Sequence, residues 1–258
     1  MNYTKNIFIL ITVFQLGCNN SNKQARKIYP NFEIPYIMQT TNDDSSKFES
    51  VHSFSYAYPP LGGKFKFMDT IDLKGRMDTA FYKNELPNFN FFSYKSDSLP
   101  TDGFEIAIDY DVTVTKSDKY MNLEKGKYFY PAFIINQTPS AKVLIGKDRR
   151  LFAIQEAKDS NGIWRPIEQE GPYFCGDGFW AEMVHHNEYV VMLLPKYKGN
   201  FKTKLRIRLK NNATIYVSKP FDGMINYEQL YFDKTTNDYW KKMMQESFYG
   251  AHPIQLPN

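Results

Sequence analysis

The chain has 258 residues, which suits one large β domain or two small ones, and a formal net charge of +4. This mild and dispersed charge gives no indication of a nucleic-acid partner. Its two cysteines, Cys18 and Cys175, exclude a disulfide framework and a multi-cysteine zinc site within one chain. A negative mean hydropathy argues against a multi-spanning membrane protein. The 19 tyrosines and 21 phenylalanines favour sheet over helix.

Residues 1–17 have the organisation of a signal peptide. A polar start that carries Lys5 is followed by the apolar run 7–16, which is too short to span a bilayer but long enough for a signal-peptide core. The run ends in Gln15-Leu16-Gly17-Cys18, which resembles the lipobox of bacterial lipoproteins, although Gln15 stands where leucine is usual. The resemblance implies that Cys18 is lipidated and anchors the chain in a bilayer of the cell envelope, either periplasmic or surface-exposed. The alternative is a buried strand with a chance cysteine.

Residues 18–50 are expected to form the lipidated cysteine and a flexible tether. The stretch 19–27 is polar, with basic and no acidic side chains, and the stretch 40–50 is polar as well. A body held off a bilayer by acyl chains requires such a tether. The body is then expected to cover residues 51–258, with 125–218 its best-defined part and 51–99 irregular in pattern.

Two segments of the body alternate strictly between apolar and polar residues. Residues 104–115 predict one half-buried strand that places on a single face Phe104, Ile106, Ile108, Tyr110, Val112 and Val114. Residues 201–209 alternate more cleanly still, with Leu205 and Ile207 on one face and basic residues on the other. Since one face must meet a core and the other water, an antiparallel sheet is predicted.

Further strands are predicted at residues 128–136, 151–157, 189–194 and 214–218. The turn signal 159–162 predicts a hairpin between strand 151–157 and residues 164–167. Strands recurring about every ten residues indicate a β-sandwich or barrel. Residues 239–248 have helical spacing and predict a short C-terminal helix over one end of the sheets.

Residues 130–209 resemble an immunoglobulin-like β-sandwich module of bacterial secreted proteins. The features that carry the resemblance are a strand that ends in Asn136, a hairpin that contains Trp164, and Tyr197 shortly before the strand at 201. The segments Asn161-Gly162-Ile163-Trp164 and Cys175-Gly176 also resemble a group of predicted lipoproteins. The resemblance implies an antiparallel, immunoglobulin-like sandwich without the core disulfide of antibody domains, and it implies no catalytic residue.

The segment 171–186 concentrates residues that can carry chemistry. Asp177, Glu182 and His186 are candidate metal ligands, because zinc and related ions accept oxygen and nitrogen donors, but their spacing matches no standard motif. Cys175 is a candidate nucleophile if His185 or His186 lies within hydrogen-bond reach of its sulfur. Ordinary histidines in a Gly-rich connection and an idle thiol are the simpler interpretations. An exposed Cys175 would instead be able to link two chains in an oxidising compartment.

Three aromatic residues of the same segment suggest a binding platform for a protein or glycan partner. Tyr173, Phe179 and Trp180 lie in an aromatic-rich connection, and such connections on β scaffolds often carry recognition. Burial of these rings in the core is the competing interpretation.

Two charged patterns allow both functional and simple interpretations. Asp109 and Asp111 are predicted to project from one strand face, where they would bind calcium or form an acid/base pair, or merely be solvated. A basic patch would meet anionic headgroups, glycans or an acidic partner, or would protect a sheet surface against aggregation; its members are Lys196, Lys198, Lys202, Lys204, Arg206, Arg208 and Lys210.

Together these patterns predict a lipid-anchored envelope protein whose β-sandwich body binds a partner or contributes to envelope assembly. The sequence lacks a phosphate loop, a nucleophile elbow and a dinucleotide fingerprint, and no cofactor is expected. The alternatives are a metal- or cysteine-dependent hydrolase centred on residues 175–186 and a carbohydrate-binding module that uses the aromatic residues of that segment.

Overall fold

The computed structural model describes residues 32–52, 55–57, 59–73, 100–116, 127–147, 150–170, 179–231 and 250–251. Within these ranges the chain forms 17 strands and two 3-10 helices, Ser45–Lys47 and Tyr227–Leu230. The strands are β1 Tyr36–Ile37, β2 Thr40–Thr41, β3 Ser55–Ala57, β4 Leu61–Lys66, β5 Thr70–Ile71, β6 Glu105–Ile108, β7 Thr113–Lys116, β8 Lys127–Asn136, β9 Lys142–Lys147, β10 Arg150–Lys158, β11 Trp164–Pro166, β12 Glu168–Glu170, β13 Phe179–Val184, β14 Glu188–Pro195, β15 Phe201–Asn211, β16 Thr214–Val217 and β17 Phe221–Ile225.

Two antiparallel sheets pack against each other. The seven-stranded sheet has the order β13-β9-β10-β15-β16, with β11 paired to β10 and β17 paired to β15. The six-stranded sheet has the order β2-β7-β8-β14-β4, with β6 paired to β8. Two short parallel pairs, β1-β5 and β12-β3, complete the described strands. The predicted antiparallel β-sandwich is confirmed, whereas its immunoglobulin-like character stays a prediction.

The six-stranded sheet is buried on both faces. On β14, Val190 and Met192 point into the core between the two sheets, whereas Tyr189 and Val191 point into a second core on the opposite face. That second core is covered by the N-terminal segment, which contributes Phe32, Ile37 and Ile71. Burial on both faces explains why β8 and β14 are nearly continuous apolar runs, while β15, with one face less buried, alternates.

The folded body extends further toward the N-terminus than the sequence pattern indicates. Residues 32–50 were expected to belong to a flexible tether, but Phe32 and Ile37 are 3% and 2% exposed. Thr40–Thr41 pairs with β7, and Glu49 forms a bridge with Tyr197. Sparse apolar residues in a polar stretch give no periodic signal, although here they cover one face of a sheet.

Residues 104–115 form two strands instead of the single predicted strand. Both β6 and β7 pair with β8, but Ile108 lies opposite Ala132 and Val114 lies opposite Phe129, so the intervening stretch contains three extra residues. The bulge lies opposite Pro131, which has no N–H to donate. An odd insertion reverses the side-chain faces, so Phe104 and Ile106 enter the core between the sheets while Val114 enters the other core.

The other predicted strands agree with the structure. The predicted hairpin is β10-β11, with Lys158 opposite Trp164 and Asp159 accepting hydrogen bonds from the N–H groups of Asn161 and Ile163. Strands β9, β12, β13 and β17 are not predicted by the sequence pattern, and β3, β4 and β5 lie in the stretch whose pattern is irregular. The predicted C-terminal helix at 239–248 and the signal peptide at 1–17 lie outside the described residues.

Candidate functional site

Strand β13 of the seven-stranded sheet and the turn that leads from it to β14 of the six-stranded sheet contain the described part of the segment predicted to carry chemistry. Trp180 is 7% exposed and belongs to the core between the sheets. Its ring lies directly over Gly146 of the neighbouring strand β9, where a Cβ atom would collide with it. Trp180 is thus a core residue and offers no exposed ring for a platform. Phe179 begins β13, and Tyr173 lies outside the described residues.

Glu182, the first described candidate metal ligand, is engaged in an ion pair within the protein. Glu182, whose side chain is 3% exposed, forms an ion pair with Lys64, and Lys64 Nζ also donates to the carbonyl oxygen of Met183 at 3.1 Å. Since Glu182 lies on β13 and Lys64 on β4, the pair joins the terminal strands of the two sheets.

The turn between β13 and β14 contains the second described candidate metal ligand. His186 lies in the turn after β13, with Nδ1 2.8 Å from the carbonyl oxygen of Thr138. Asp177 and Cys175 lie outside the described residues, so the metal and nucleophile hypotheses stay predictions. Among the residues that the structure describes, no group of three or more His, Cys, Asp or Glu side chains is arranged to hold a metal ion.

Three cationic side chains of the predicted basic patch, all on β15, contact acidic partners. Glu156, 1% exposed, pairs with both Arg206 at 2.6 Å and Arg208 at 3.2 Å. The Arg206 guanidinium lies 4.2 Å from the centroid of the Trp164 ring. Lys204 pairs with Asp222 at 2.9 Å. On this face of β15 the two arginines therefore connect β15 to β10 through Glu156, whereas binding of a partner by the patch stays a prediction.

Lys196 does not belong to that surface. It is 1% exposed and donates to Thr113 and Asp43, each at 2.7 Å. Its ammonium also lies 4.2 Å from the centroid of the Tyr130 ring. The charge is therefore compensated inside the protein, where it connects β7, β8 and the end of β14 to the N-terminal segment.

Asp109 and Asp111 lie in the bulge and not on the face of a regular strand. Asp109 Oδ1 accepts a hydrogen bond from the backbone N–H of Asp111 at 3.1 Å. Burial raises the pKa of Asp109, and the charge of Asp111 adds to this effect. The short side chain thus serves the turn itself, as Asp commonly does.

A buried acid that the sequence pattern does not indicate lies in the region where the two sheets meet. Glu168, 3% exposed, accepts hydrogen bonds from the Gln155 backbone N–H at 2.7 Å, the Gln155 amide at 3.1 Å and the Tyr197 hydroxyl. The Gln155 amide also donates to the carbonyl oxygen of Pro195 at 3.0 Å. Burial raises the pKa of Glu168 to about 7, against the effect of these hydrogen bonds. The group can exchange a proton near neutral pH, but its surroundings make it a connection between sheets.

Little in the sequence signals this network. The alternation of apolar and polar residues does not decide on which face of a strand Gln155 and Glu168 lie. Tyr197 lies shortly after the predicted strand 189–194. Only the turn at 159–162 brings Glu168 back beside Gln155. A polar pair within an otherwise apolar strand, such as Gln155-Glu156, is the one signal that was available.

No protein-family model, curated protein or solved structure matches this chain. The fold itself therefore defines the class: a mainly β protein built as an antiparallel sandwich. In the described ranges no helix has the length and apolar character needed to cross a membrane.

Proposed function

We propose that this protein is a bacterial envelope lipoprotein, anchored through acylated Cys18, whose β-sandwich body binds a partner or contributes to envelope assembly. The observation that carries the proposal is the apolar run 7–16 that ends in Gly17-Cys18 and is followed by the polar, basic stretch 19–27. A body dominated by two packed sheets is a common scaffold for recognition at its loops.

Four buried ionisable side chains among the described residues contact other groups of the protein, which supports a binding role over a catalytic one. Catalytic groups must be within reach of a substrate, but Glu182, Glu156 and Lys196 are buried in ion pairs that join strands or layers. Glu168 is enclosed by hydrogen bonds from the protein itself. These groups contribute to holding the sandwich together.

Acylation is tested by growing cells that express the full chain with an alkyne-bearing fatty acid and detecting the label on the purified protein. The wild type and Cys175→Ser are expected to carry the label in the envelope fraction, while Cys18→Ser is not. Cys175→Ser is the matched control because it removes the other thiol. An unlabelled wild-type protein in the cytosol rejects the proposal.

Binding is tested by chemical cross-linking in intact envelopes, followed by affinity purification of the acylated chain. A specific partner, recovered with the wild type and lost with surface variants, is expected. Repeated recovery of none, together with stoichiometric metal in the purified protein or an alkylation-sensitive hydrolase activity, would favour the hydrolase centred on residues 175–186 instead.

A further inference from the structure

The first described residues form an exposed apolar surface, here termed the N-terminal apolar surface. It consists of Ile34, Tyr36, Met38 and Met68, which are 45%, 63%, 57% and 42% exposed. Single exposed apolar side chains are ordinary, but a contiguous group of large ones marks an interaction surface.

Strand geometry places these four side chains together. Ile37 and Ile71 point into the second core, so their neighbours in the parallel pair β1-β5 point outward. Ile34 lies two residues before Tyr36, about 7 Å along an extended chain, and Met38 lies in the turn that directly follows β1. Met68 precedes Thr70, the partner of Tyr36, by two residues, so continuation of the same register places it near Ile34.

The N-terminal apolar surface lies close in sequence to Cys18, and therefore close to the bilayer that is proposed to hold this residue. Thirteen residues separate Cys18 from Phe32, and a stretch of that length reaches at most about 50 Å when fully extended. If Cys18 is held in a bilayer, the segment 32–38 is the part of the body that is tied most closely to that bilayer. Such tethering raises the effective concentration of the lipid surface around it.

The chemistry of the surface fits the outer part of a bilayer. Tyr36 has an apolar ring and a polar tip, which suit the level of the headgroups, and the neighbouring Ile and Met side chains suit the acyl boundary. Glu33, Asp69 and Asp72 are exposed around it, so attraction to anionic headgroups does not drive the contact. Contact through apolar side chains is expected to be insensitive to salt.

We infer that the N-terminal apolar surface rests on the membrane that holds the lipid anchor, an inference that rests on the proposed acylation of Cys18. The contact orients the sandwich, with the six-stranded sheet and its N-terminal cover toward the lipid and the seven-stranded sheet away from it. Apolar side chains alone would bind weakly, so the acyl chains supply the anchoring and this surface supplies the orientation.

The experiment uses the full acylated chain, with Cys175→Ala to remove the second thiol and a polarity-sensitive fluorophore on Tyr36→Cys. The matched control carries the fluorophore on Met224→Cys, a position of the seven-stranded sheet that is 46% exposed. Both proteins are placed in vesicles of phosphatidylethanolamine and phosphatidylglycerol that contain a lipid quencher near the headgroups. Strong quenching is expected at position 36 and little at position 224, without change in high salt.

Two double variants test the side chains themselves. Ile34→Ser with Met38→Ser is expected to reduce quenching at position 36 to the control level, whereas Ile215→Ser with Val217→Ser, at the exposed edge of the other sheet, leaves it unchanged. Equal quenching at positions 36 and 224, in protein whose measured mass includes the acyl chains, overturns the inference but leaves the proposed acylation of Cys18 standing. Stronger, salt-sensitive quenching at position 224 overturns it in favour of the basic face. A protein without acyl mass rejects the proposed function and this inference with it.

Discussion

Glu168 should make the stability of this protein fall as pH rises through neutrality. The carboxyl is buried and hydrogen-bonded by Gln155 and Tyr197, and none of its described hydrogen-bond donors is a cation. Burial raises its pKa from 4.5 to about 7, with a further contribution from the negative charge of Glu49. The Tyr197 hydroxyl can donate to the ionised form and accept from the protonated form, so both states can exist in the folded protein.

The sign and the size follow from proton linkage. The folded protein binds this proton more tightly than the unfolded chain, so the stabilising contribution is complete below pH 4.5 and is lost as pH rises through about 7. Since one pKa unit corresponds to about 1.4 kcal/mol, the gap between 4.5 and about 7 corresponds to about 3 kcal/mol. The slope from one group cannot exceed about 1.4 kcal/mol per pH unit.

Urea unfolding of the wild type, Glu168→Gln and the exposed control Glu228→Gln across this pH range measures the effect. The amide variant cannot ionise, so its free energy of unfolding should vary with pH by about 3 kcal/mol less than that of the wild type. Its absolute stability is lower at acidic pH because the new amide N–H faces other donors. The control should follow the wild type. Parallel profiles for the wild type and Glu168→Gln would refute the reasoning.

Three further changes test the packing of the sheets. Lys64→Ala should lower the free energy of unfolding by about 3 kcal/mol, because it removes the ammonium group that pairs with the buried Glu182 carboxylate; Lys64→Ala with Glu182→Leu should recover most of this in chemical denaturation. Gly146→Ala should destabilise the fold by about 2 kcal/mol or more because the new Cβ meets both the Trp180 ring and the backbone carbonyl oxygen of Arg150, and calorimetry of the double variant with Trp180→Leu should show at most partial rescue, since the carbonyl remains. Burial opposes ionisation of Asp159, but hydrogen bonds from Ile163 and Arg165 lower its pKa below 3.8. The stabilisation that Asp159 contributes is therefore present above pH 3.8 and is lost in acid. Asp159→Asn should make the acid unfolding of the protein, monitored by circular dichroism, less steep.

Local alternation predicted strands where one face is clearly more buried than the other. In β15, Leu205, Ile207 and Leu209 are buried while Lys202 and Lys204 are exposed, as expected. The same rule misplaced Val112 and Val114, because a bulge opposite Pro131 reverses the faces without changing the pattern of residue types. Period-two reasoning therefore holds only as long as the register of the pairing does.

The candidate site was less predictable because its interactions join distant parts of the chain. Glu182 appeared as a metal candidate from its neighbours in sequence, whereas its partner Lys64 lies on a strand in the irregular stretch. Lys196 appeared as part of a basic surface, but Asp43 and Thr113 enclose it. Charge and residue type indicate which groups need a partner, and only the pairing of strands decides which partner is near.

The sequence by itself determined the sheet-rich class and the antiparallel pairing of the two main sheets, and it predicts a signal that ends at Cys18, because these depend on residue periodicity and on short contiguous segments. The tertiary structure alone decided that the six-stranded sheet is covered on both faces, that Trp180 belongs to the core, and that Glu168 is enclosed between Gln155 and Tyr197. These features depend on contacts between residues far apart in the chain, whose free energy comes from burial and has no local signature.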